Sequence, residues 1–372
     1  MRIGVNTRLF VKGKMDGIAW FSYEVLKRMV KAHPEHEFVF FFDRKYLDEF
    51  IFAENVKPVV VFPPARHPLL WFLFFEWGIK RALKKEKIDI FLSPDGWICL
   101  HTDVKTINII HDLNFEHYPE FLSPSSRFYF RTFFPRFARR ADALVTVSNF
   151  SKNDIIKTYE IIPKKIDVVY NAAAEDFFEI SDDKKLKVRE QLTNGYPYFV
   201  FVGSGNRRKN IVNHLYAFDL FREQGLFAKL VFAGTQKYWS QEMKRVHSLM
   251  KYREDVVFTD YVSTARLNEI ISAAECLLYA SFFEGFGVPI LEAFSCNIPV
   301  ITSNLTAMPE TAGDAAILVN PYNPEEITNA MMEIFDNNSL RNELIQKGKH
   351  QLKKFSWDNT ATQLWQTIEK LS

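Results

Sequence analysis

Short runs of β-branched and aromatic residues alternate with longer amphipathic segments along the whole chain, and the alternation starts afresh near its middle. That rhythm is the sequence mark of parallel α/β architecture, because a parallel strand needs a long crossover, usually a helix, before its neighbour. In the first half the strand-like runs are Arg2–Asn6, Glu37–Asp43, Pro58–Phe62, Ile88–Ser93, Lys105–Ile110, Ala143–Val147 and Lys165–Val169. Helical segments are expected at Gly17–Ala32, Leu69–Lys85, Ser125–Arg140 and Asn149–Tyr159. The stretch Ala172–Gly195 is more polar and reads as a linker with an entry helix. The rhythm resumes at Tyr198–Val202, with a helix from about Asn210 and strands at Leu230–Ala233, Val256–Thr259, Cys276–Tyr279 and Pro299–Thr302. Phe355–Leu371 reads as a final helix.

A chain of 372 residues exceeds what one core usually serves, so the two rhythmic halves predict two domains. The expected division is 1–176 and 177–356, with the last helix, 357–372, packing back on the first domain. Two such units are expected to face one another across a cleft, a frequent place for ligands. The formal net charge of +2 argues against a dedicated nucleic-acid binder. Cys99, Cys276 and Cys296 are odd in number and lack metal-ligand spacing, which points to a reducing, cytoplasmic setting. The opening run MRIGVN already reads as a strand, so no signal peptide is expected. The most apolar run, Leu69–Phe75, falls well short of the ~20 residues a spanning helix requires.

Three segments carry candidate chemistry. The first is Phe283-Glu284-Gly285-Phe286-Gly287-Val288-Pro289-Ile290-Leu291-Glu292-Ala293, after the strand run at Cys276–Tyr279. Two glycines free the backbone and Pro289 suits a helix start, so the segment should be a turn feeding a helix N-terminus, which favours an anion. Glu292, expected in the first helical turn, either complements the helix dipole or accepts hydrogen bonds from a ribose diol. Glu284, before the turn, would meet another part of the same ligand.

The second segment is Gly203-Ser204-Gly205-Asn206-Arg207-Arg208-Lys209-Asn210. It lacks the third glycine of a dinucleotide fingerprint, since Arg208 stands there, and it lacks the Gly-Lys-Ser/Thr ending of a phosphate loop. Three consecutive cations suit either a diphosphate or a basic helix start at the surface. The third segment is His111-Asp112-Leu113, at the carboxyl end of a strand, where ligands of open α/β sheets bind. Asp112 either orients the imidazole or holds the loop. The chain contains no Asp-x-Asp pair of the kind that grips a donor diphosphate through a divalent metal.

Ser281–Pro299 (SFFEGFGVPILEAFSCNIP) resembles the signature of family four of the retaining glycosyltransferases, whose fold is GT-B: a Glu, seven intervening residues and a second Glu, here Glu284 and Glu292. Met308–Ala316 (MPETAGDAA) is similar to the family's usual continuation, and the likeness extends over almost the whole chain, running to bacterial surface-polysaccharide mannosyltransferases. The resemblance implies that Glu284 contacts donor-sugar hydroxyls and Glu292 holds the ribose. It implies that the backbone of Phe286, Gly287 and Val288 lies against sugar and phosphate, and that Arg208 and Lys209 neutralise the diphosphate. His111 would meet the sugar at the reacting centre, and Gly17, in the loop Gly13–Gly17, would let the backbone approach the donor. Many members carry Arg directly after the strand's glycine; here it is Ser204, which shifts the phosphate contact onto Arg208 and Lys209.

The activity so implied is retaining, metal-independent transfer of a hexose from a nucleotide-sugar, GDP-mannose first and a UDP-sugar next, to a glycan or lipid-linked glycan. No cofactor is expected beyond that donor. The alternative is a catalytically inactive nucleotide-sugar-binding regulatory protein of the same fold. Leu69–Lys85 joins an aromatic half to a basic half, and Arg127, Arg131, Arg136, Arg139 and Arg140 add cations to a second Phe-rich helix. Such surfaces suit an anionic membrane, so peripheral contact through the first domain is a further expectation beside an ordinary core and solvated face.

Overall fold

The structure, a computed structural model, describes every residue except Arg66. It falls into two compact units, Met1–Asn171 with Ser356–Ser372, and Ala172–Phe355. Each is built on a fully parallel twisted sheet with helical crossovers.

In the first unit the strands are β1 (Arg2–Asn6), β2 (Glu37–Phe42), β3 (Val56–Val60), β4 (Ile90–Ser93), β5 (Lys105–Ile109), β6 (Ala143–Thr146) and β7 (Ile166–Val168), in the order β3-β2-β1-β4-β5-β6-β7. The chain reverses its direction of travel between β1 and β4, and their carboxyl ends therefore flank a crevice where ligands bind in such sheets. Val39, Phe41, Phe91 and Leu144 are fully buried, as expected of strands covered on both faces. Helix Gly17–Ala32 is capped by Asp16, whose carboxylate accepts the Ala19 amide at 3.0 Å. The terminal helix Trp357–Glu369 packs on that helix, with Trp365 stacked on His33 at 3.6 Å between ring centres.

In the second unit the strands are β8 (Tyr198–Val202), β9 (Lys229–Ala233), β10 (Val256–Phe258), β11 (Cys276–Tyr279), β12 (Val300–Ser303) and β13 (Ile317–Val319), ordered β10-β9-β8-β11-β12-β13. Here the reversal falls between β8 and β11. Where β8 and β9 end, the backbone packs so closely that a Cβ on Gly234 would stand 2.0 Å from the Gly203 carbonyl oxygen.

Four elements depart from expectation. Strand β3 begins two residues earlier than Pro58–Phe62, because Val56 pairs in register with Phe38; Pro58 is tolerated since β3 is an edge strand. Strand β13 was not anticipated, being three residues long. Leu69–Lys85 is not one helix but Pro68–Leu73, a π-helical stretch Phe74–Ile79 and Lys80–Lys85. The wider π turn lets both Phe74 and Phe75 enter the core. Helix Val288–Ser295 begins at Val288, which puts Pro289 at its second position and Glu292 at its fifth. Glu292 therefore lies in the second turn, not the first, and does not serve as a dipole partner at the helix start.

Candidate donor-binding site

The candidate residues of the second unit gather at the β8/β11 reversal. After β8 the chain passes Gly203 and makes a 3₁₀ turn, Arg207–Lys209, fixed by the Asn206 side chain accepting the Arg208 amide at 3.1 Å. After β11 it runs through Ser281–Gly287 into helix Val288–Ser295. Gly287 caps that helix at φ +101°, a left-handed conformation that glycine adopts without strain. The Phe286 carbonyl is held by the Thr311 hydroxyl at 2.6 Å, and the Phe286 ring packs edge-on against Phe355 at 5.5 Å.

Three charged side chains converge between these loops. Arg208 donates to the Glu284 carboxylate at 2.5 Å and to the Phe283 carbonyl at 3.0 Å. Lys209 pairs with the other Glu284 oxygen at 2.7 Å, donates to the Tyr279 hydroxyl and lies 4.6 Å from the centre of that ring. Glu284 and Lys209 are both buried. Burial pushes the Glu284 carboxyl up, but the cations, Arg208 foremost, more than reverse it and hold it at about 2. The cluster carries one net positive charge with its cations already aimed at a carboxylate, so a diphosphate entering there meets a preformed anion site.

Glu292 differs. It is only partly exposed, and among the described residues nothing hydrogen-bonds its carboxylate. Burial raises its pKa to about 7, and Lys209 opposes that rise. A carboxylate held without protein donors is suited to receive them from a ligand. The sign follows from the shift. The unfolded carboxyl ionises near 4.5 and the folded one near 7, so folding stability falls as pH rises through that interval. Glu292→Gln should therefore raise the unfolding midpoint at pH 8 by a few degrees, from a contribution of at most ~3 kcal/mol, and leave it unchanged at pH 4.5. The same substitution should weaken nucleoside diphosphate binding about tenfold or more, since hydrogen bonds to a charged acceptor contribute ~1.5–3 kcal/mol each. Thermal unfolding and calorimetric titration on one preparation check both signs.

Residues that sequence reasoning did not select hold these loops. Asn210, left-handed at φ +59°, donates to the Ala280 carbonyl at 2.8 Å and to Pro321 at 2.6 Å. One turn on, fully buried His214 accepts the Ala280 amide at 3.0 Å through Nε2, and burial lowers its pKa to about 3, so it stays neutral. Both polar groups of Ala280 are thus clasped by the helix that follows the cation turn. The signal in the sequence was the polar set Asn210, Asn213 and His214 at the start of a helix whose other early residues, Ile211, Val212 and Leu215, are apolar.

In the first unit, His111 follows β5. Its Nε2 lies 2.9 Å from the Pro94 carbonyl and must donate to it, leaving Nδ1 as the acceptor of a neutral ring. Burial lowers its pKa; Pro94, Asp112, Asp16 and Asp95 oppose that. Phe21 meets the imidazole edge-on at 5.0 Å. Asp112 resolves toward holding the loop: its carboxylate accepts from the Asn114 amide at 2.9 Å and from the Asn114 side chain. Gly17 opens helix Gly17–Ala32, and a Cβ there would meet nothing, so the space above it is open. The sequence reading also missed a buried ion pair at the β1/β4 reversal, Arg8 to Asp95 at 2.6 Å, with Arg8 stacked 4.4 Å from Trp97 and Asn6 donating to Asp95 at 2.8 Å.

Two parallel-sheet units with ligand-competent crevices at their reversals define a GT-B-type α/β protein. A sucrose-phosphate synthase from Thermosynechococcus elongatus superposes over 100% of this chain and 98% of its own with a TM-score of 0.79 at 17% identity. WaaG, a glycosyltransferase involved in lipopolysaccharide biosynthesis, does so over 98% of each chain with a TM-score of 0.75 at 14% identity. In sequence, residues 15–176 match the model for Glycosyltransferase Family 4 and residues 182–351 that for Glycosyl transferases group 1. The O-antigen chain mannosyltransferase B of Escherichia coli is 27% identical over 95% of this chain and 96% of its own, and Salmonella typhimurium RfbU is 28% identical over 72% and 71%. The chain belongs to glycosyltransferase family four and is a glycosyltransferase.

Proposed function

We propose that this glycosyltransferase moves a mannosyl residue from GDP-mannose, with a UDP-hexose as the next candidate, to a hydroxyl of a glycan or lipid-linked glycan in surface-polysaccharide synthesis. The observation that carries the reading is the Arg208–Lys209–Glu284 cluster at the β8/β11 reversal beside the unpartnered Glu292 carboxylate. The relatives named as O-antigen mannosyltransferases support the choice of sugar and pathway class. The diphosphate takes the two cations, Glu292 accepts the ribose hydroxyls, and Glu284, relieved of part of its pairing, accepts from sugar hydroxyls. His111 offers Nδ1 to a further sugar hydroxyl. Bond breaking leaves the glycosidic electron pair on the distal phosphate oxygen, where Lys209 and Arg208 stabilise the growing charge. The acceptor hydroxyl attacks from the same face and gives its proton to that departing phosphate, so configuration is retained. The products are a nucleoside diphosphate and the glycosylated acceptor. A thermal-shift screen against GDP-, UDP- and ADP-sugars tests the donor; a larger shift with ADP-sugars than with GDP- or UDP-sugars would contradict it.

The reaction needs no divalent metal in this reading, because two cations stand where a metal would otherwise neutralise the diphosphate. Transfer should proceed at its full rate in excess EDTA; a loss that magnesium or manganese restores would overturn this. Peripheral docking on an anionic membrane is part of the same proposal. It is supported by Leu69, Trp77 and Phe128, which are 64%, 53% and 70% exposed, and by Arg81, which lies 6.0 Å from the centre of the Trp77 ring, whereas Phe74 and Phe75 serve the core. Among the described residues no helix is long and apolar enough to cross a membrane.

A further inference from the structure

Helices Pro124–Arg140 and Asn149–Tyr159 lie side by side on the first unit and bound an open pocket of about 550 Å³. Three arginines of one helix, Arg131, Arg136 and Arg139, line it, with Glu116 the only acid among its lining residues. That acid is already engaged: the Tyr159 hydroxyl donates to it at 2.9 Å and Arg131 faces it at 3.4 Å. Arg139 donates to the Tyr159 carbonyl at 3.4 Å, and Arg136 lies 5.7 Å from the centre of the Phe133 ring. Neither Arg136 nor Arg139 has a carboxylate within ion-pair distance among the described residues. The pocket therefore holds two guanidinium groups whose charge the protein does not answer.

We propose that this pocket is a binding site for a phosphate group, distinct from the cation turn of the other unit. Guanidinium forks match phosphate oxygens in pairs, which a diffuse array of lysines does not. The pocket is open to solvent, so it leaves room for a phosphate carried by a lipid or by a soluble phosphorylated compound. Phe128, exposed one turn before Arg131, would lie beside the lipid form. The site stands whether or not the donor assignment does, because none of its residues belongs to that assignment.

Hydrogen exchange read by mass spectrometry localises the effect. Adding millimolar inorganic pyrophosphate to the whole chain should slow exchange several-fold in peptides covering 124–140 and 149–159. Arg136→Glu, at an exposed position, should abolish that protection, Arg136→Lys should keep part of it, and Lys244→Glu, an exposed cation of the other unit, should leave it intact. In a second arm, phosphatidylcholine vesicles with and without phosphatidylglycerol are sedimented with the same variants. A lipid source shows as anionic-vesicle binding that Arg136→Glu weakens at least fivefold; a soluble source shows as pyrophosphate protection alone. The proposal is overturned if neither arm responds, if Arg136→Glu behaves as wild type in both, or if Lys244→Glu is equally impaired, which would mean a diffuse electrostatic effect.

Discussion

Replacing Lys209 with Ala should lower kcat/KM by about 10²–10³, the loss typical of removing one preorganised donor from a developing oxyanion. Both terms should move: KM rises because the diphosphate loses a cation, and kcat falls because the phosphate gains charge as the glycosidic bond breaks. The substitution also leaves Glu284 buried with Arg208 as its remaining ion-pair partner, so the second unit should lose stability by a few kcal/mol. Lys209→Arg, which keeps the charge, separates the two effects: it should recover most of the stability and only part of the turnover. If Lys209→Ala kept kcat/KM within about threefold of wild type, a change well under 1 kcal/mol, the phosphate assignment would be wrong.

Glu284→Gln should produce opposite signs in binding and turnover. It removes the carboxylate that occupies Arg208 and Lys209, so a bare nucleoside diphosphate should bind up to about tenfold more tightly. Sugar transfer should nevertheless fall at least a hundredfold, because the acceptor for the sugar hydroxyls is gone. The acid dependence changes as well. Glu284 has its folded pKa depressed to about 2, so it contributes stability present above about 4.5 and lost as pH falls toward 2. The glutamine variant should be less stable at pH 7 and should lack that loss between pH 4.5 and 2. Calorimetric titration with GDP and UDP, beside acid unfolding followed by circular dichroism, reads both; unchanged nucleotide affinity with unchanged turnover would remove Glu284 from the site.

Much of this was legible in the chain because parallel sheets write themselves as short apolar runs. YFVFV and CLLY can be nothing else in context, and β8 and β11 occur where they read. The turn residues were legible too, since glycine is the residue that admits the left-handed conformation Gly287 adopts, while Pro289 fixes a φ suited to a helix start. What the chain concealed was set by tertiary packing. The π-helical stretch in Leu69–Lys85 depends on two adjacent phenylalanines reaching the same core, which no helical periodicity encodes. Glu284, Arg208 and Lys209 each read as a ligand contact, but their pairing with one another depends on β8 lying beside β11, a neighbour relation fixed by topology. Arg8 and Asp95, 87 residues apart, were invisible for the same reason. His214 carried no signal in the chain, because the amide it accepts from belongs to Ala280, 66 residues away.

The central claim is that Glu284, Glu292, Arg208 and Lys209 hold a nucleotide-sugar for transfer. Donor turnover without acceptor tests it most directly, because a transferase leaks its sugar slowly to water and an inactive binding protein of the same fold does not. Purified chain incubated with GDP-mannose, and in parallel with a UDP-hexose, should release nucleoside diphosphate and free hexose at a rate that Lys209→Ala reduces at least tenfold. Saturable binding of the same donors with no release above the protein-free rate, equal in wild type and Lys209→Ala, would contradict it.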